Sequence, residues 1–253
     1  MAIGDKVGLV YMLAGTGTNN LIRAATNPKT AKLIPQNIAT FERYGVKKIV
    51  TPCPHCFNTL QHEYGKLDPP SPVPGGEGFE VLHHSQLLAE LIAEGKLKAA
   101  ASGDMTYHDP CYLARVNNES DAPRAVLGKE SSLNDRNVLP DASDLSDKLR
   151  EPAHYARKTL CCGAGGGRMW MEETRGTRIN VARTEQVLAT GADTLATACP
   201  FCMVMLRDGL QDAGRGVGSE APVTSQDIAE LLASAIVPGT GGPVPPGRAL
   251  PVV

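Results

Sequence analysis

One segment of the chain occurs twice. GVKKIVTPCPHCFNTL at residues 45–60 aligns without a gap with GADTLATACPFCMVML at residues 191–206. In both copies a glycine precedes a short apolar run that ends in a Cys-x-x-Cys pair, and a helical pattern follows. A looser match joins residues 7–20 to residues 105–118. The sequence therefore predicts two related modules in tandem.

The rest of the chain also alternates strand and helix patterns. Strands are predicted at residues 5–13, in KKIVTP, in EVL before His83 and His84, and in MTYHD and DTLATA, and helices at residues 28–45 and 168–190 and in SQDIAELLASAIV. Alternation of this kind is typical of an α/β fold with mainly parallel sheets. We expect a shortened first module at residues 1–100 and an intact second module at 101–236. Residues 237–253 are rich in proline and glycine, which predicts a disordered tail.

The bulk composition excludes several classes of protein. A net charge of −2 over 253 residues gives no electrostatic reason to bind nucleic acid or an anionic membrane surface. No apolar stretch is long enough to span a bilayer. The apolar run near the N-terminus is broken by glycines, so we interpret it as a strand and not as a signal peptide.

The seven cysteines form a pattern that suits metal binding. They comprise two Cys-x-x-Cys pairs, one adjacent doublet and one single residue: Cys53, Cys56, Cys111, Cys161, Cys162, Cys199 and Cys202. An odd number of cysteines in a chain of this length is poor material for a secreted disulfide framework. In a reducing compartment, clustered cysteines are more often metal ligands or redox thiols.

Five of these cysteines are predicted to converge in the second module. Ligands of α/β sheets bind beyond the carboxyl ends of the strands, and Cys111 and Cys199 each follow a predicted strand. The doublet precedes a glycine-rich loop, and Cys202 shares one turn with Cys199. Five thiolates exceed what one tetrahedral zinc ion needs, and soft thiolates in that number suit iron–sulfur chemistry.

The glycines that follow the doublet suit an anionic cofactor. Gly163, Gly165, Gly166 and Gly167 allow the backbone to approach closely, and their N–H groups and the N-terminus of the next helix can hydrogen-bond to anionic sulfur. Such hydrogen bonds raise the reduction potential of an iron–sulfur cluster.

Other interpretations of the cysteines and glycines stay open at this point. Four of the thiols could hold a structural zinc ion, one or two could be buried free thiols, and each Cys-x-x-Cys pair could be a thioredoxin-like redox pair. The last interpretation gives no role to Cys-Cys-Gly. A dinucleotide site is a weaker alternative, because the glycine run lacks the GxGxxG frame.

Two histidines and three arginines lie near these motifs. His108 and His55 are candidate proton relays. His108 could instead donate to a cluster sulfur or cap a loop, and His55 could be a ligand or support one. Arg168, Arg178 and Arg183 follow the glycine loop, where they either offset cluster charge or lie on a solvated helix face.

These motifs resemble a known family. Cys111…Cys161-Cys162-Gly163…Cys199-Pro200-Phe201-Cys202 is similar to the CCG, or cysteine-rich, domain. That domain is shared by the heterodisulfide reductase B subunit and by iron–sulfur subunits of lactate, glycolate and glycerol-3-phosphate oxidoreductases. The stretches NIATFERYGVKKIVTPCPHCFNTLQHEY, HDPCYLARVNN and CCGAGGGRMWMEE look like membrane-linked iron–sulfur oxidoreductases that work with electron-transferring flavoprotein. The resemblance covers about residues 35–235.

The resemblance implies a cofactor and a ligand set. It implies that the five cysteines of the second module ligate one iron–sulfur cluster of the 4Fe–4S type, which is often non-cubane in this family. It assigns Cys53 and Cys56 to a second site, but the first module has no strand-end cysteine and no CCG, so we expect one cluster. The gap from Cys111 to Cys161 is longer than the family leads us to expect, and we place the excess in a surface insertion at residues 130–156.

The resemblance also implies a function. It implies an iron–sulfur electron-transfer subunit of an oxidoreductase, passing electrons between a flavoprotein donor and a quinone or another carrier. The alternatives are a heterodisulfide or thiol reductase subunit acting at the cluster, and a zinc-stabilised scaffold subunit. The implied partners are electron-transferring flavoprotein or another flavin subunit, together with ferredoxin-like and membrane subunits or domains. Such partners would hold an otherwise cytoplasmic chain at the membrane.

Overall fold

The computed structural model describes residues 7–9, 33–64, 80–99, 104–128 and 149–235. The strands in these segments are β1 (Val7–Leu9), β2 (Lys48–Thr51), β3 (Glu80–His83), β4 (Met105–His108), β5 (Leu149–Arg150), β6 (Thr194–Thr197) and β7 (Thr224–Asp227). The α-helices are α1 (Leu33–Arg43), α2 (Pro54–Asn58), α3 (His84–Ala93), α4 (Asp121–Val126), α5 (Ile179–Leu188), α6 (Pro200–Asp212) and α7 (Ile228–Ala235). Short π-helical turns lie at Thr59–Glu63 and Tyr112–Val116, and 3₁₀ turns lie at Ala156–Lys158 and Gly165–Trp170.

The described strands form two parallel sheets, as the α/β prediction requires. One sheet has the order β1-β2-β3 and the other has the order β5-β4-β6-β7. The repeat seen in the sequence recurs in the strand register, because Val7 lies opposite Lys48 in the first sheet and Met105 lies opposite Thr194 in the second. The prediction of tandem related modules is confirmed.

Equivalent glycines end equivalent helices in the two modules. Gly45 follows α1 with φ +58°, and Gly191 follows α5 with φ +69°. Only glycine adopts this left-handed conformation at little cost, and it lets the chain leave a helix and turn into the next strand. The glycine that opens both copies of the repeat therefore sets the entry into β2 and β6.

The helices after the third strand of each repeat are also capped alike. The side chain of His83 accepts the backbone N–H of Ser85, and the side chain of Asp227 accepts that of Ala229. In return, the side chain of Gln86 accepts the N–H of His83, and Glu230 accepts the N–H of Asp227. These reciprocal capping boxes extend the internal repeat beyond the segments that align in sequence.

The two modules share one hydrophobic core. Ile49 and Phe57 of the first module pack in the same buried cluster as Tyr107, Leu113 and Ile228 of the second. The predicted boundary at residues 100 and 101 falls between the two sheets, and it stays a prediction. The predicted tail at 237–253 lies outside the described residues. Among the described helices, none combines the length and apolar character that crossing a membrane needs.

Two polar segments differ from their predicted structure. Residues 225–227, predicted as the start of a helix, belong to strand β7, and α7 begins at Ile228. The predicted surface insertion at 130–156 is wrong at Leu149, which is buried and pairs with β4. Both strands are short and lie at the edge of the sheet, so they lack the apolar alternation that reveals a strand.

The predicted helix at 168–190 is shorter than expected. Helix α5 begins only at Ile179, after the 3₁₀ turn at Gly165–Trp170. Gly166 and Gly167 have φ +69° and +77°, which a right-handed helix does not allow. The glycine run therefore forms a turn of its own, and the helix follows after a further loop.

Candidate metal centre

Each Cys-x-x-Cys pair lies at the N-terminus of a helix. Cys53 and Cys199 have extended backbone and occupy the N-cap positions of α2 and α6, and a proline follows each of them. Proline is favoured at the first helical position because its fixed φ suits the helix and its missing N–H would have no partner there. The second cysteine of each pair then lies in the first turn, with its thiol in contact with the first thiol.

The five cysteines of the second module come together in one group. The thiol of Cys111 contacts that of Cys161, which contacts Cys162, and the doublet reaches the Cys-x-x-Cys pair through Cys162 and Cys202. The run of contacts ends with Cys202 and Cys199. All five are free thiols. Three are buried, whereas Cys111 and Cys161 are half-buried and form the more open edge.

Backbone N–H groups of the glycine loop point at the doublet. The N–H of Gly163 lies 3.3 Å from Cys161 Sγ, the N–H of Gly165 also faces that sulfur, and the N–H of Ala164 faces Cys162. Gly163 has φ +93°, and a Cβ there would lie 3.2 Å from the backbone nitrogen of Asn180, so a side chain at this position would be both strained and tightly packed.

The other two predicted glycines have a different place. Gly166 and Gly167 contact no sulfur among the described contacts, and a Cβ on either would meet open space. Their positive φ angles form the turn that follows the doublet. Gly166 and Gly167 therefore shape the loop, whereas the N–H groups that face the sulfurs belong to Gly163, Ala164 and Gly165.

His55 joins the two Cys-x-x-Cys pairs. Its Nδ1 lies 3.9 Å from Cys53 Sγ, and its ring also contacts the thiol of Cys199. The ring packs against Tyr112 at 4.2 Å between centroids and meets Phe201 edge-on at 5.5 Å. The two pairs, which the family resemblance assigns to separate sites, therefore lie side by side with one imidazole between them.

Thiol pKa values alternate along this array. Hydrogen bonds from Cys111 and Cys162 lower the pKa of Cys161 to about 2. The pKa values of the two neighbouring thiols shift in the opposite direction. Sharing a proton with Cys161 raises the pKa of Cys111 and raises that of Cys162 to about 12. Burial alone would raise the pKa of Cys199, but contacts with Cys202 and His55 lower it to about 6.

The first pair continues the alternation. The Cys56 thiol lowers the pKa of Cys53 to about 5, and sharing that proton raises the pKa of Cys56. Burial tends to lower the pKa of His55, but the thiolates of Cys199 and Cys53 raise it to about 9. Metal ligation requires thiolates. An array of free thiols whose contacts lower the pKa of several members suits a cationic core.

His108 lies behind the doublet. It ends β4, is fully buried, and its Nδ1 accepts a hydrogen bond from Arg183 Nε at 2.9 Å. One ring nitrogen lies with Cys162 Sγ and Cys202 Sγ in a group whose members are all within 4.8 Å of one another. Burial and the neighbouring guanidinium lower the pKa of His108 to about 3, so the imidazole is neutral.

The three arginines after the glycine loop occupy different environments. Arg183 is fully buried, so the second of the two alternatives given for these arginines, a solvated helix face, does not apply to it. Arg168 pairs with Glu173, and Arg178 pairs with Asp208 and Asp212 at the surface.

A buried ionic cluster supports the site and was missed in the sequence. Arg124 donates to both carboxylate oxygens of Asp109, at 2.8 and 2.9 Å, and to Glu151 at 2.8 and 3.0 Å. Asp109 also accepts the backbone N–H of Ala156 at 2.7 Å. This cluster ties the segment before Cys111 to the segment before the doublet. Its only sequence signal was the carboxylate in HDPC, since Arg124 lies in a stretch that has no visible pattern.

The comparisons with known proteins agree with this geometry. The model of the CCG cysteine-rich domain matches residues 17–61 and 105–207. Within these ranges lie all seven cysteines, the glycine loop and both copies of the repeat. The two matched ranges correspond to the two modules.

Relatives of the chain carry oxidoreductase or reductase names. The chain is 40% identical over 208 residues to the probable iron–sulfur-binding oxidoreductase FadF of Bacillus subtilis. It is 37% identical over 209 residues to the EtfAB:quinone oxidoreductase of Syntrophomonas wolfei. It is 33% identical over 241 residues to one subunit of the dihydromethanophenazine:CoB–CoM heterodisulfide reductase of Methanosarcina barkeri.

The matches cover most of this chain but less of the relatives. They span 81%, 79% and 92% of this chain, and 26%, 26% and 53% of the three relatives respectively. The chain thus corresponds to about a quarter of the first two proteins and about half of the third. From the two matched ranges, the repeated sheets and the converging thiols, we conclude that this chain belongs to the CCG cysteine-rich domain family.

Proposed function

We propose that the chain is an iron–sulfur electron-transfer subunit of an oxidoreductase, or a part of one. It passes electrons between a flavoprotein donor and a quinone or another carrier. The observation that carries the proposal is the unbroken run of free thiols from Cys111 through the doublet to Cys202 and Cys199. Similarity to one relative named as an iron–sulfur-binding oxidoreductase and to another named as an EtfAB:quinone oxidoreductase supports it.

The residues fit a bound cluster. Cys111, Cys161, Cys162, Cys199 and Cys202 would hold it, and the N–H groups of Gly163 and Gly165 would hydrogen-bond to sulfur. An iron–sulfur cluster bound there would supply a one-electron carrier. Five thiols exceed the set that one zinc ion uses, so the donor set favours a polynuclear centre of the 4Fe–4S type.

The protein residues would control access to this carrier. Cys162, Cys199 and Cys202 are buried and keep water from one side of the site. Cys111 and Cys161 are half-buried, so electrons would enter or leave by that edge. A flavin subunit, together with ferredoxin-like and membrane components, would supply the donor, the acceptor and attachment to the membrane.

The metal content of the protein tests the proposal. We expect anaerobically purified protein to hold iron and acid-labile sulfide equal to one 4Fe–4S cluster per chain, with visible absorption. Cys111→Ala and Cys162→Ala should lose most of both, whereas the matched Cys56→Ala should retain them. Zinc without sulfide would overturn the proposal in favour of the scaffold. Two clusters per chain would contradict the single-cluster assignment and show that Cys53 and Cys56 recruit further ligands.

Reduction of a disulfide at the cluster is a second candidate function. The half-buried edge at Cys111 and Cys161 favours it, because a small substrate could approach the site there. Similarity to a heterodisulfide reductase subunit points the same way. With reduced viologen as the donor, formation of free thiol from an added disulfide would support this candidate. Reduction of a quinone analogue without thiol formation would support electron transfer alone.

A further inference from the structure

The imidazole of His108 has one occupied and one unoccupied nitrogen. Nδ1 lies 2.9 Å from Arg183 Nε, and Nε2 has no hydrogen-bond partner within the described residues. A nitrogen of this ring groups with Cys162 Sγ and Cys202 Sγ within 4.8 Å. Since Arg183 occupies Nδ1, Nε2 is the nitrogen left for the two sulfurs.

The contact with Arg183 decides which nitrogen carries the proton. A guanidinium can only donate, so Nδ1 must be the acceptor and must present its lone pair. A neutral imidazole has one N–H, which then lies on Nε2. His108 therefore offers the two sulfurs a donor. It offers no lone pair that could bind a metal, and a buried N–H in this position needs an acceptor.

Arg183 is held firmly in this orientation. Its side chain is fully buried, and Nη1 donates to the carbonyl of His154 at 2.8 Å and to Gln186 Oε1 at 2.9 Å. The guanidinium cannot turn away from His108 without breaking these bonds in a buried site, where an unpaired donor is costly. The surface arginine at the start of the same helix, Arg178, has no such constraint.

We propose that Arg183 is a positioning residue that fixes His108 as an Nε2–H donor to the sulfurs of Cys162 and Cys202. The inference rests on the proposed cluster site and adds a pair of residues to it. An N–H directed at ligand sulfur stabilises the more negative, reduced state of a cluster and so raises its reduction potential. The same contact keeps His108 from serving as a ligand.

The midpoint potential of the holoprotein tests this coupling. His108→Leu and Arg183→Met should each lower the potential, by about 59 mV if the ratio of reduced to oxidised protein changes tenfold at a fixed applied potential. The double variant should show no further shift, because Arg183 acts through His108. Additive shifts would overturn the proposal, since a direct effect of the arginine charge does not depend on His108.

Conservative variants separate the donor from mere packing. His108→Gln keeps an N–H donor and should hold the potential closer to that of the parent protein than His108→Leu does. Arg183→Lys keeps a donor for Nδ1 and should likewise hold the potential closer to that of the parent protein than Arg183→Met does. Arg178→Met is the surface control and should leave the midpoint potential unchanged. If Arg183→Met fails to fold or to load iron, the Gln and Leu variants of His108 still decide, and equal potentials for those two would overturn the proposal.

A spectroscopic measurement reads the tautomer directly. In reduced holoprotein labelled with ¹⁵N-histidine, electron–nuclear double resonance should show a weak nitrogen coupling and a coupled proton that exchanges in D₂O, both absent in His108→Leu. A strong coupling, as for a ligand nitrogen, would overturn the inference. Absence of iron and sulfide would instead refute the proposed function, and ¹⁵N chemical shifts of the zinc-bound protein would then test the tautomer independently.

Discussion

At the scale of single residues, the two largest fully buried side chains in the described part of the chain are arginines. One of them, Arg124, is 1% exposed and is bound by Asp109 and Glu151, whose side chains are 1% and 4% exposed. Taking such groups out of water is costly, and the ion pairs and hydrogen bonds offset that cost only while every partner is present. The cluster therefore fixes the two segments that lead to Cys111 and to the doublet.

Arg124→Met should lower the free energy of unfolding by about 3–5 kcal/mol, because it removes the buried guanidinium that pairs with the carboxylate of Asp109 and also binds Glu151. Urea denaturation of the holoprotein measures this loss. The matched control is Arg178→Met, whose ion pairs are at the surface and should contribute about 1 kcal/mol or less. Similar losses for the two variants would contradict the role of the buried cluster.

Gly163→Ala should be more harmful than Gly165→Ala. The first change places a Cβ against the start of α5 at a positive φ, which costs about 1–2 kcal/mol in backbone strain alone. The second places it in open space. Iron content and thermal unfolding should fall for the first variant and remain near the parent values for the second. The reverse order would show that the glycine loop is arranged differently.

At the scale of elements, the same strand–turn–helix unit presents thiols twice. In each copy the cysteine at the N-cap, the proline after it and the cysteine in the first turn bring two sulfurs to one helix end. This arrangement was predictable, because the apolar strand, the cysteine spacing and the proline all lie within one continuous segment. The edge strands β5 and β7 were not predictable in this way, since β5 has only two residues, β7 is polar, and both are held by partners distant in sequence.

Helices α5 and α6 approach closely at Gly209. A Cβ there would lie 2.2 Å from Thr184 Oγ1 and 3.0 Å from the backbone oxygen of Asn180. Gly209→Ala should therefore push the two helices apart, cost about 1–3 kcal/mol by overpacking and disturb the alignment of Arg183 with His108. Chemical denaturation and cluster content measure both effects. Val204→Ala, at an exposed position of α6, is the control and should be close to neutral.

At the scale of the whole molecule, the two modules depend on each other. They share a core, His84 of the first lies 3.2 Å from Asp227 of the second, and Gln86 donates to Glu119 across the same boundary. The repeat in the sequence predicted the two sheets but not their mutual burial. Periodicity shows that a face is apolar, and it does not show which partner covers it.

A fragment of residues 101–236 should not fold independently. Its core residues, such as Tyr107 and Leu113, would lose the part of the shared cluster that Ile49 and Phe57 supply, and the exposed apolar surface would favour aggregation. Circular dichroism and size-exclusion chromatography of the fragment, compared with the full chain, measure this. A soluble, cooperatively unfolding fragment with one full cluster would instead support independent domains.

The sequence was sufficient to predict the cysteines and the glycine loop of the site, but not the residues that hold them in place. The cysteines and the glycine loop were identifiable because they are rare residues in fixed spacing, and the structure brings those of the second module together. Arg183 and Arg124 were not identifiable, because an arginine on a helix is usually solvated and nothing in the local sequence marks burial. The cysteines and the glycine loop, which form the site itself, can be recognised from their spacing in the sequence. The buried arginines, which hold neighbouring residues in place, cannot.

The uneven burial of the thiols also determines the order in which the cysteines are oxidised in air. Dioxygen and alkylating reagents should react first with Cys111 and Cys161, which are half-buried, because the other cysteines of the array are buried. Oxidative loss of iron from a bound cluster should therefore begin at the edge formed by Cys111 and Cys161 and only later involve the buried cysteines. Mild iodoacetamide treatment of aerobically bleached protein, followed by peptide mass mapping, should find these two positions labelled before any other cysteine of the array.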